Sequence, residues 1–343
     1  MKKRISAIIL TLVLCISFCA CLFGCGGGAE FNGNFNTEAT DENYSEVMTS
    51  ILESDGELFG DETSADWATG LKVALELAYT RTGADQDVAL SAKGDFTFVV
   101  SKDSAASSGY SAAGKGWADI SANGLESLAG ALGAPEGAFP DTALYKGDMF
   151  VDNTNFYIGG KFEVGETKVE GKYVVEDFYT VSDLMEAIED INAGYGELDM
   201  SSEDVDDAVD EIMAVVEALE IKVYIDTSNG VKVKVSLSND TLETIAEDED
   251  LQEMIPEDLR ELAVSLLEAD LSINKFDLYF SLTSDYEFAG IKLDVDVSRP
   301  ATATTPAESL KIMFSVTDTE SKPALPTDLD TYSDISTLGE SFS

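Results

Sequence analysis

The chain has 343 residues, with 21 Lys and Arg against 66 Asp and Glu, and its net charge is −45. So negative a surface excludes nucleic-acid binding, which needs cations against phosphates, and it keeps the folded body away from anionic lipid headgroups. The absence of histidine excludes Ser-His-Asp triads, Cys-His dyads and histidine-based zinc sites.

The N-terminal stretch is organised around Cys25. A basic start at residues 2–4 precedes an apolar run over 5–23, an order typical of a secretory leader. The sequence Leu22-Phe23-Gly24-Cys25 resembles the bacterial lipobox, although Phe23 is bulkier than usual there. This resemblance implies a leader over 1–24, removed before Cys25, and a lipid such as palmitate on Cys25.

Two alternatives exist for this stretch. The apolar run approaches the roughly 20 residues that span a bilayer, so it could remain as an uncleaved anchor. Cys19 or Cys21 could also be the modified residue. Gly26-Gly27-Gly28 favours Cys25, because a flexible tether suits a body that hangs clear of a membrane. We therefore expect an extracytoplasmic protein held at the cell membrane by a lipid, with a tether over 25–43.

The mature body has neither cysteine nor an evident metal site. All four cysteines lie in the leader, so stability must come from the core alone. The acidic runs at 204–211 and 247–250 lack the loop glycine and the twelfth-position Glu of an EF-hand, and such runs usually mark a solvated helix face. Trp67 and Trp117 are too few for a typical carbohydrate platform. We therefore expect no metal, no cofactor and no enzymatic activity.

Alternating apolar and polar residues predict strands through most of the body. Residues 71–79 alternate with a period of two, which gives a strand with one buried face. Residues 88–90 and 95–100 continue as strand, with a bulge expected at Gly94. A weaker strand is expected around 110–119. After a short helix or turn at Leu125, Leu128 and Leu132, a meander follows over 144–145, 149–151, 156–158 and 172–175.

Helical spacing predicts four further segments. A short helix, or alternatively an ordered tail, is expected over 44–58, and a second helix should begin with Ser182 as its cap and end at Gly194. A broken helix is expected over 242–269. A long amphipathic helix should begin at Ser202. Its apolar stripe consists of Val205, Val209, Ile212, Met213, Val216 and Leu219.

The C-terminal part predicts hairpins. Asn229-Gly230 lies between alternating segments and favours a two-residue type I′ turn. Residues 276–282 should pair with 291–297, and 310–316 should form the last strand. The acidic segment 321–343 is expected to lie on the surface or to be disordered.

This order of elements is similar to a family of lipoproteins. The long hairpin LYFSLTSDYEFAGIKLDVDVS and the tail Ala324-Leu325-Pro326-Thr327-Asp328-Leu329 resemble Gram-positive lipoproteins of the broad LolA/LppX-like group. The resemblance covers residues 71–317 and is one of pattern, with no family residue to carry over. It implies an α+β fold, in which a curved antiparallel sheet, an incomplete barrel, wraps around helices. We expect one such domain over 44–320.

Two functions follow as expectations. The first is binding or carrying a lipid or another hydrophobic ligand, because an apolar slot between sheet and helices suits lipids. The second is a structural or protein-interaction role in the cell envelope, through the acidic surface and with an unknown partner. If a slot exists, its expected lining is Val209, Ile212, Met213, Val216 and Leu219. These residues could equally be core filling.

Overall fold

The structure, a computed structural model, describes residues 31–52, 67–83, 87–127, 140–186, 202–247, 264, 267, 270–284, 288–302 and 305–341. Strands predominate. They are β1 (Ala68–Thr82), β2 (Val88–Lys102), β3 (Tyr110–Asn123), β4 (Thr142–Val151), β5 (Phe156–Val164), β6 (Thr167–Val175), β7 (Lys222–Asp226), β8 (Val231–Ser236), β9 (Ser272–Leu282), β10 (Phe288–Arg299), β11 (Ala307–Asp318) and β12 (Ser333–Asp334). The helices are α1 (Asp41–Leu52), α2 (Ser202–Ala218), α3 (Asn239–Glu247) and α4 (Ser336–Glu340), with helical turns at 125–127, 181–186 and Leu329–Thr331.

The twelve strands of the described residues form one sheet, in the order β12-β6-β5-β4-β3-β2-β1-β11-β10-β9-β8-β7. Two antiparallel meanders, β1 to β6 and β7 to β11, join where β1 pairs with β11. Only β12 is parallel to its neighbour, β6. The joint brings together residues far apart in the sequence, such as Val73 and Val316.

The predicted α+β fold, a sheet wrapped around helices, is wrong. The chain forms one large open sheet with a few short helices. The physical reason is strand length. The segments predicted at 88–90 and 95–100 belong to a single strand of 15 residues, and β1 and β3 have 15 and 14 residues. Small and polar residues that we interpreted as breaks lie inside regular strands.

The sheet has two faces of opposite character, which follow from the period of two. On one, the apolar face, β1 carries Leu71, Val73, Leu75, Leu77 and Tyr79, opposite apolar residues such as Phe314 and Ile312 of β11. The other, the polar face, carries cross-strand ion pairs. They include Lys93–Glu76 at 3.0 Å, Lys146–Asp119 at 2.6 Å, Lys234–Asp277 at 3.1 Å and Lys311–Asp296 at 2.7 Å.

Helices pack on two parts of the apolar face. At the β7–β9 end of the sheet, Tyr44 and Val47 of α1 and Ile212 of α2 form a buried cluster with Val223 and Val233. In the middle of the sheet, where β1 and β3 begin and β2 ends, Val181 and Met185 pack with Trp67, Val100 and Ala112. These clusters exclude water from both parts of the face.

Both edges of the sheet are occupied. The backbone N–H of Ala39 donates to the carbonyl oxygen of Val223 in β7, and Lys222 pairs with Glu38. At the opposite edge β12 pairs with β6. Open edges are templates for aggregation, so these contacts protect a sheet of this size. Residues of the predicted tether over 25–43 thus contact the sheet.

Three local predictions are corrected. Pairing of β2 with β1 and β3 is continuous through Gly94, so no bulge occurs there. Asn229-Gly230 is not a two-residue turn, because Asp226 pairs with Lys232 and five residues lie between them. The helical turn at 181–186 is capped by Thr180, whose Oγ1 accepts the N–H of Asp183, and not by Ser182.

Several predictions lie wholly or partly outside the described residues: the leader and Cys25, the part of the helix predicted over 182–194 that follows residue 186, and most of the broken helix over 242–269 that follows residue 247. Within the described part, no helix is long and apolar enough to cross a bilayer.

Candidate functional site

The middle of the apolar face carries a groove across β1 to β4. Its volume is about 160 Å³. We call it the apolar groove, and its same-face lining consists of Val73, Leu75, Ala92, Gly94, Phe96, Ala118, Ile120 and Met149. Lys93, Asp95 and Trp117 border it at intervening positions, whose side chains belong to the polar face by register.

The floor of the groove is a row of small residues. Gly94 pairs with Ala118, and Ala118 with Gly147, so the row runs straight across β2, β3 and β4. Leu75 of β1 pairs with Gly94 and lies at the end of the row. A Cβ atom on Gly94 would collide with the carbonyl oxygen of Trp117, and one on Gly147 with that of Gly159. Neighbouring backbones thus approach closely on this face, which only glycine permits.

Larger side chains form the two sides of the row. Phe96 and Met149 lie on one side, and Ile120 lies on the other. Leu75 and Ile120 are 38% and 44% exposed, unusually open for residues on the face that holds the core. The groove is therefore an apolar surface within reach of a ligand.

Aromatic rings continue the apolar face beyond the groove, from β4 to β6. The Tyr145 and Phe162 rings lie 5.0 Å apart, and Phe162 and Tyr173 lie 5.6 Å apart. The Tyr145 hydroxyl donates to the carbonyl oxygen of Asp148 at 3.3 Å. Burial, with the nearby Asp148 and Tyr332, raises the Tyr145 pKa to about 12, so this part of the apolar face stays uncharged.

The stripe predicted as ligand-binding lies in packed core. Ile212, Met213 and Val216 join the cluster of α1, β7 and β8, and Leu219 packs against Val215, Ile221 and Ile245. Val209 is 2% exposed. None of the five lines the apolar groove. The structure therefore brings these residues together with each other, but places them at the end of the sheet away from the groove.

The described residues contain no group of three or more acidic side chains that could hold a metal ion. On the polar face, lysines neutralise the carboxylates that lie close together. Asp277 and Asp294 are directly opposite, and Lys275 contacts both. Lys234 lies over the ring of Tyr279, 5.8 Å from its centre. This arrangement stabilises the sheet.

The sequence did not reveal the groove. Its residues alternate correctly for strands, but Gly94, Ala118 and Gly147 form a row only once the register of two hairpins is known. The available signal was the recurrence of glycine and alanine at apolar-face positions of successive strands. We interpreted Gly94 as a bulge instead.

Comparison of the chain with models of known protein families and with curated protein sequences finds no match. The similarity to LolA/LppX-like lipoproteins therefore stays a prediction, and the function is argued from the geometry of the site.

Proposed function

We propose that this protein is an extracytoplasmic lipoprotein, tethered through Cys25, whose apolar groove binds the acyl chain of a lipid. The observation that carries the proposal is the exposure of Leu75 and Ile120 beside the row of small residues. The similarity of Leu22-Phe23-Gly24-Cys25 to a lipobox supports the anchor at Cys25.

The dimensions of the groove suit one acyl chain. It crosses from β1 to β4, three strand spacings of about 4.8 Å, so its length is about 14 Å. An acyl chain spans one leaflet, about half of the 30 Å hydrocarbon core, or roughly 15 Å. The groove thus matches the length of a single extended chain.

The chemistry of the lining also suits an acyl chain. The same-face side chains are all apolar, and Met149 is a flexible thioether that adapts to irregular contacts. Each methylene removed from water contributes about 0.8 kcal/mol. Several methylenes against Leu75, Ile120 and Phe96 would therefore give useful affinity without any polar contact.

Photocrosslinking tests this function in the intact protein. Membranes from cells that produce the full chain are incubated with a palmitic acid analogue bearing a mid-chain diazirine and a terminal alkyne, and are then irradiated. We expect light-dependent labelling of peptides from β1 to β4. Leu75→Asp should reduce that labelling at least about tenfold, because an acyl chain would have to desolvate a carboxylate.

Val164→Asp is the matched control. Val164 is 38% exposed on the same face and lies outside the groove, so its replacement should leave labelling unchanged. Equal labelling of both variants, or labelling confined to α2, would contradict the groove as the site. Absence of light-dependent labelling in the wild type would contradict lipid binding itself and favour the protein-interaction role.

A further inference from the structure

A second cavity, which we call the polar cleft, lies on the polar face. Its volume is about 450 Å³, and it is bounded by β2, β3 and β4 and by the C-terminal segment 319–323. The sheet contributes Asp95, Thr97, Lys115, Trp117 and Asp148. The cleft falls within the 300–1,000 Å³ typical of small-molecule sites.

Trp117 is the most unusual residue of the cleft. Trp67, the other tryptophan, is 6% exposed and packs in the core beside Tyr110, whereas Trp117 is 36% exposed. The indole Nε1 of Trp117 donates to Asp95 Oδ2 at 2.6 Å. A large aromatic ring is therefore held in a fixed position at the wall of an open cavity, which lowers the entropic cost of stacking a ligand on it.

Polar groups surround the indole. Trp117 pairs with Asp95 on one side and with Asp148 on the other, and Lys115 pairs with Thr97. Among the described residues neither Lys115 nor Asp148 forms an ion pair, although most lysines of the polar face do. The ammonium group of Lys322 is engaged by Ser111 Oγ at 2.6 Å. Lys115 can donate and Asp148 can accept hydrogen bonds to a ligand.

We propose that the polar cleft binds a neutral saccharide, one sugar ring of which stacks on Trp117. The C–H groups of a pyranose face carry partial positive charge and suit the electron-rich indole, and its rim of hydroxyls suits Lys115 and Asp148. The two acidic and two basic residues of the lining balance. An anion would meet Asp95 and Asp148, and a cation would meet Lys115 and Lys322, so a neutral ligand fits best.

The polar cleft and the apolar groove open on opposite faces of the sheet, although Asp95 and Trp117 border both. Leu75 and Ile120, on which the groove proposal rests, do not line the cleft. If the protein binds a sugar but no lipid, the saccharide site stands and the acyl-chain site is refuted. If it binds a lipid but no sugar, the acyl-chain site stands and the saccharide site is refuted.

Calorimetry with the full chain tests the proposal, in a polyoxyethylene detergent that carries no sugar. The probes are the tetrasaccharides of glucose, mannose, galactose and N-acetylglucosamine. We expect at least one to bind, and Trp117→Ala to weaken its binding at least about tenfold. Asp148→Asn should weaken it less. Phe178→Ala, which truncates an aromatic residue that is 59% exposed outside the cleft, is the control and should bind as the wild type does.

Tryptophan fluorescence locates the sugar. In Trp67→Phe the indole of Trp117 is the sole one in the chain, and its emission should change as the sugar saturates the site. Three results would each overturn the proposal. They are sugar binding that Trp117→Ala leaves intact, no binding of any of the four probes, and a change in tryptophan emission that the cation choline produces but none of the sugars does.

Discussion

At the scale of single residues, Asp318 shows how burial changes the proton affinity of one carboxyl group. It lies at the end of β11 opposite Leu71. Burial raises its pKa to about 6; the hydrogen bond from the N–H of Thr319 opposes this shift, and the charge of Glu320 adds to it. The folded chain therefore holds a proton on Asp318 that the unfolded chain releases near its ordinary pKa of 3.8.

This shift predicts a pH-dependent loss of stability. Because the pKa is raised in the folded state, the stability it contributes is full below about pH 4 and is lost as the pH rises through about 6. Asp318→Asn should match the wild type at pH 4 and exceed its free energy of unfolding by about 1–2 kcal/mol at pH 8, allowing for partial exposure. Urea denaturation at both pH values measures this.

Glu166→Gln is the control for Asp318→Asn. It also removes one negative charge, but Glu166 is exposed in the turn between β5 and β6 and does not contribute to the Asp318 pKa, so its effect should stay below about 0.5 kcal/mol at both pH values. If the stabilities of Asp318→Asn and the wild type differed by the same amount at pH 4 and pH 8, the raised pKa would be refuted.

The loop around Asn229-Gly230 depends on one residue, Asp226, that the sequence pattern did not single out. The type I′ turn at Asn229-Gly230 failed because Asp226 organises the loop instead. Its carboxylate accepts the N–H of Ser228 at 3.0 Å and that of Asn34 at 2.7 Å. The second bond joins residues 192 positions apart. No local pattern could predict this hydrogen bond, because its partners are so far apart in the sequence. We also expected residues 25–43 to be a tether without contacts to the folded body.

At the scale of elements, the C-terminus of α2 carries a strained residue. The N–H of Ile221 donates to the carbonyl oxygen of Val216, and that of Glu220 to Glu217, which is the Schellman arrangement. This arrangement places Glu220 in the left-handed region, with φ of 52°. Glycine is the residue usually found at this position, since a Cβ is unfavourable there.

Glu220→Gly should therefore stabilise the protein. Removing the Cβ relieves strain in the folded state, and this gain in free energy exceeds the entropic cost of the greater freedom of glycine in the unfolded chain. We therefore expect the free energy of unfolding to increase by about 0.5–1 kcal/mol. Glu217→Gly, one turn earlier and within the helix, is the matched control and should lose about 1 kcal/mol. Thermal denaturation of the two variants checks this. Destabilisation by both would show that the cap is not strained.

Elements were predicted better than their arrangement. The strands at 71–79, 276–282, 291–297 and 310–316 and the helix from Ser202 are present. Their strict alternation and helical spacing follow from local chain geometry. The pairing of β1 with β11 could not be predicted, since both carry an apolar face that would suit many neighbours. The apolar groove was missed for a related reason, because it depends on the registers of the pairs β1–β2, β2–β3 and β3–β4.

At the scale of the whole molecule, the C-terminal segment acts as a strap across the polar face of β1 to β6. Thr319 donates its N–H to Gly70, and Lys322 contacts Ser111. Further along, Leu325, Leu329 and Tyr332 pack against Phe150, Tyr157 and Val174. The segment that we expected to be a surface tail therefore covers an apolar cluster on an otherwise charged face.

Tyr332 holds the strap by several contacts. Its ring meets that of Tyr157 edge to face, with centres 5.4 Å apart, and Lys172 lies over it at 5.4 Å while pairing with Asp328 at 2.5 Å. Tyr332→Ala should lower the free energy of unfolding by about 2 kcal/mol. Truncating a fully buried aromatic side chain costs about 3–5 kcal/mol, and the ring of Tyr332 is half-buried.

Tyr332→Ala should loosen only one region of the protein. Hydrogen exchange should accelerate in 319–341 and along β6, whose outer edge β12 protects. Tyr224→Ala is the matched control: Tyr224 is a half-buried tyrosine of the same face, in contact with Lys234 at the β7 end. It should accelerate exchange in β7 and β8 and leave the strap protected. Uniform acceleration in both variants would mean that the sheet opens as one unit and that the strap is not a separate element.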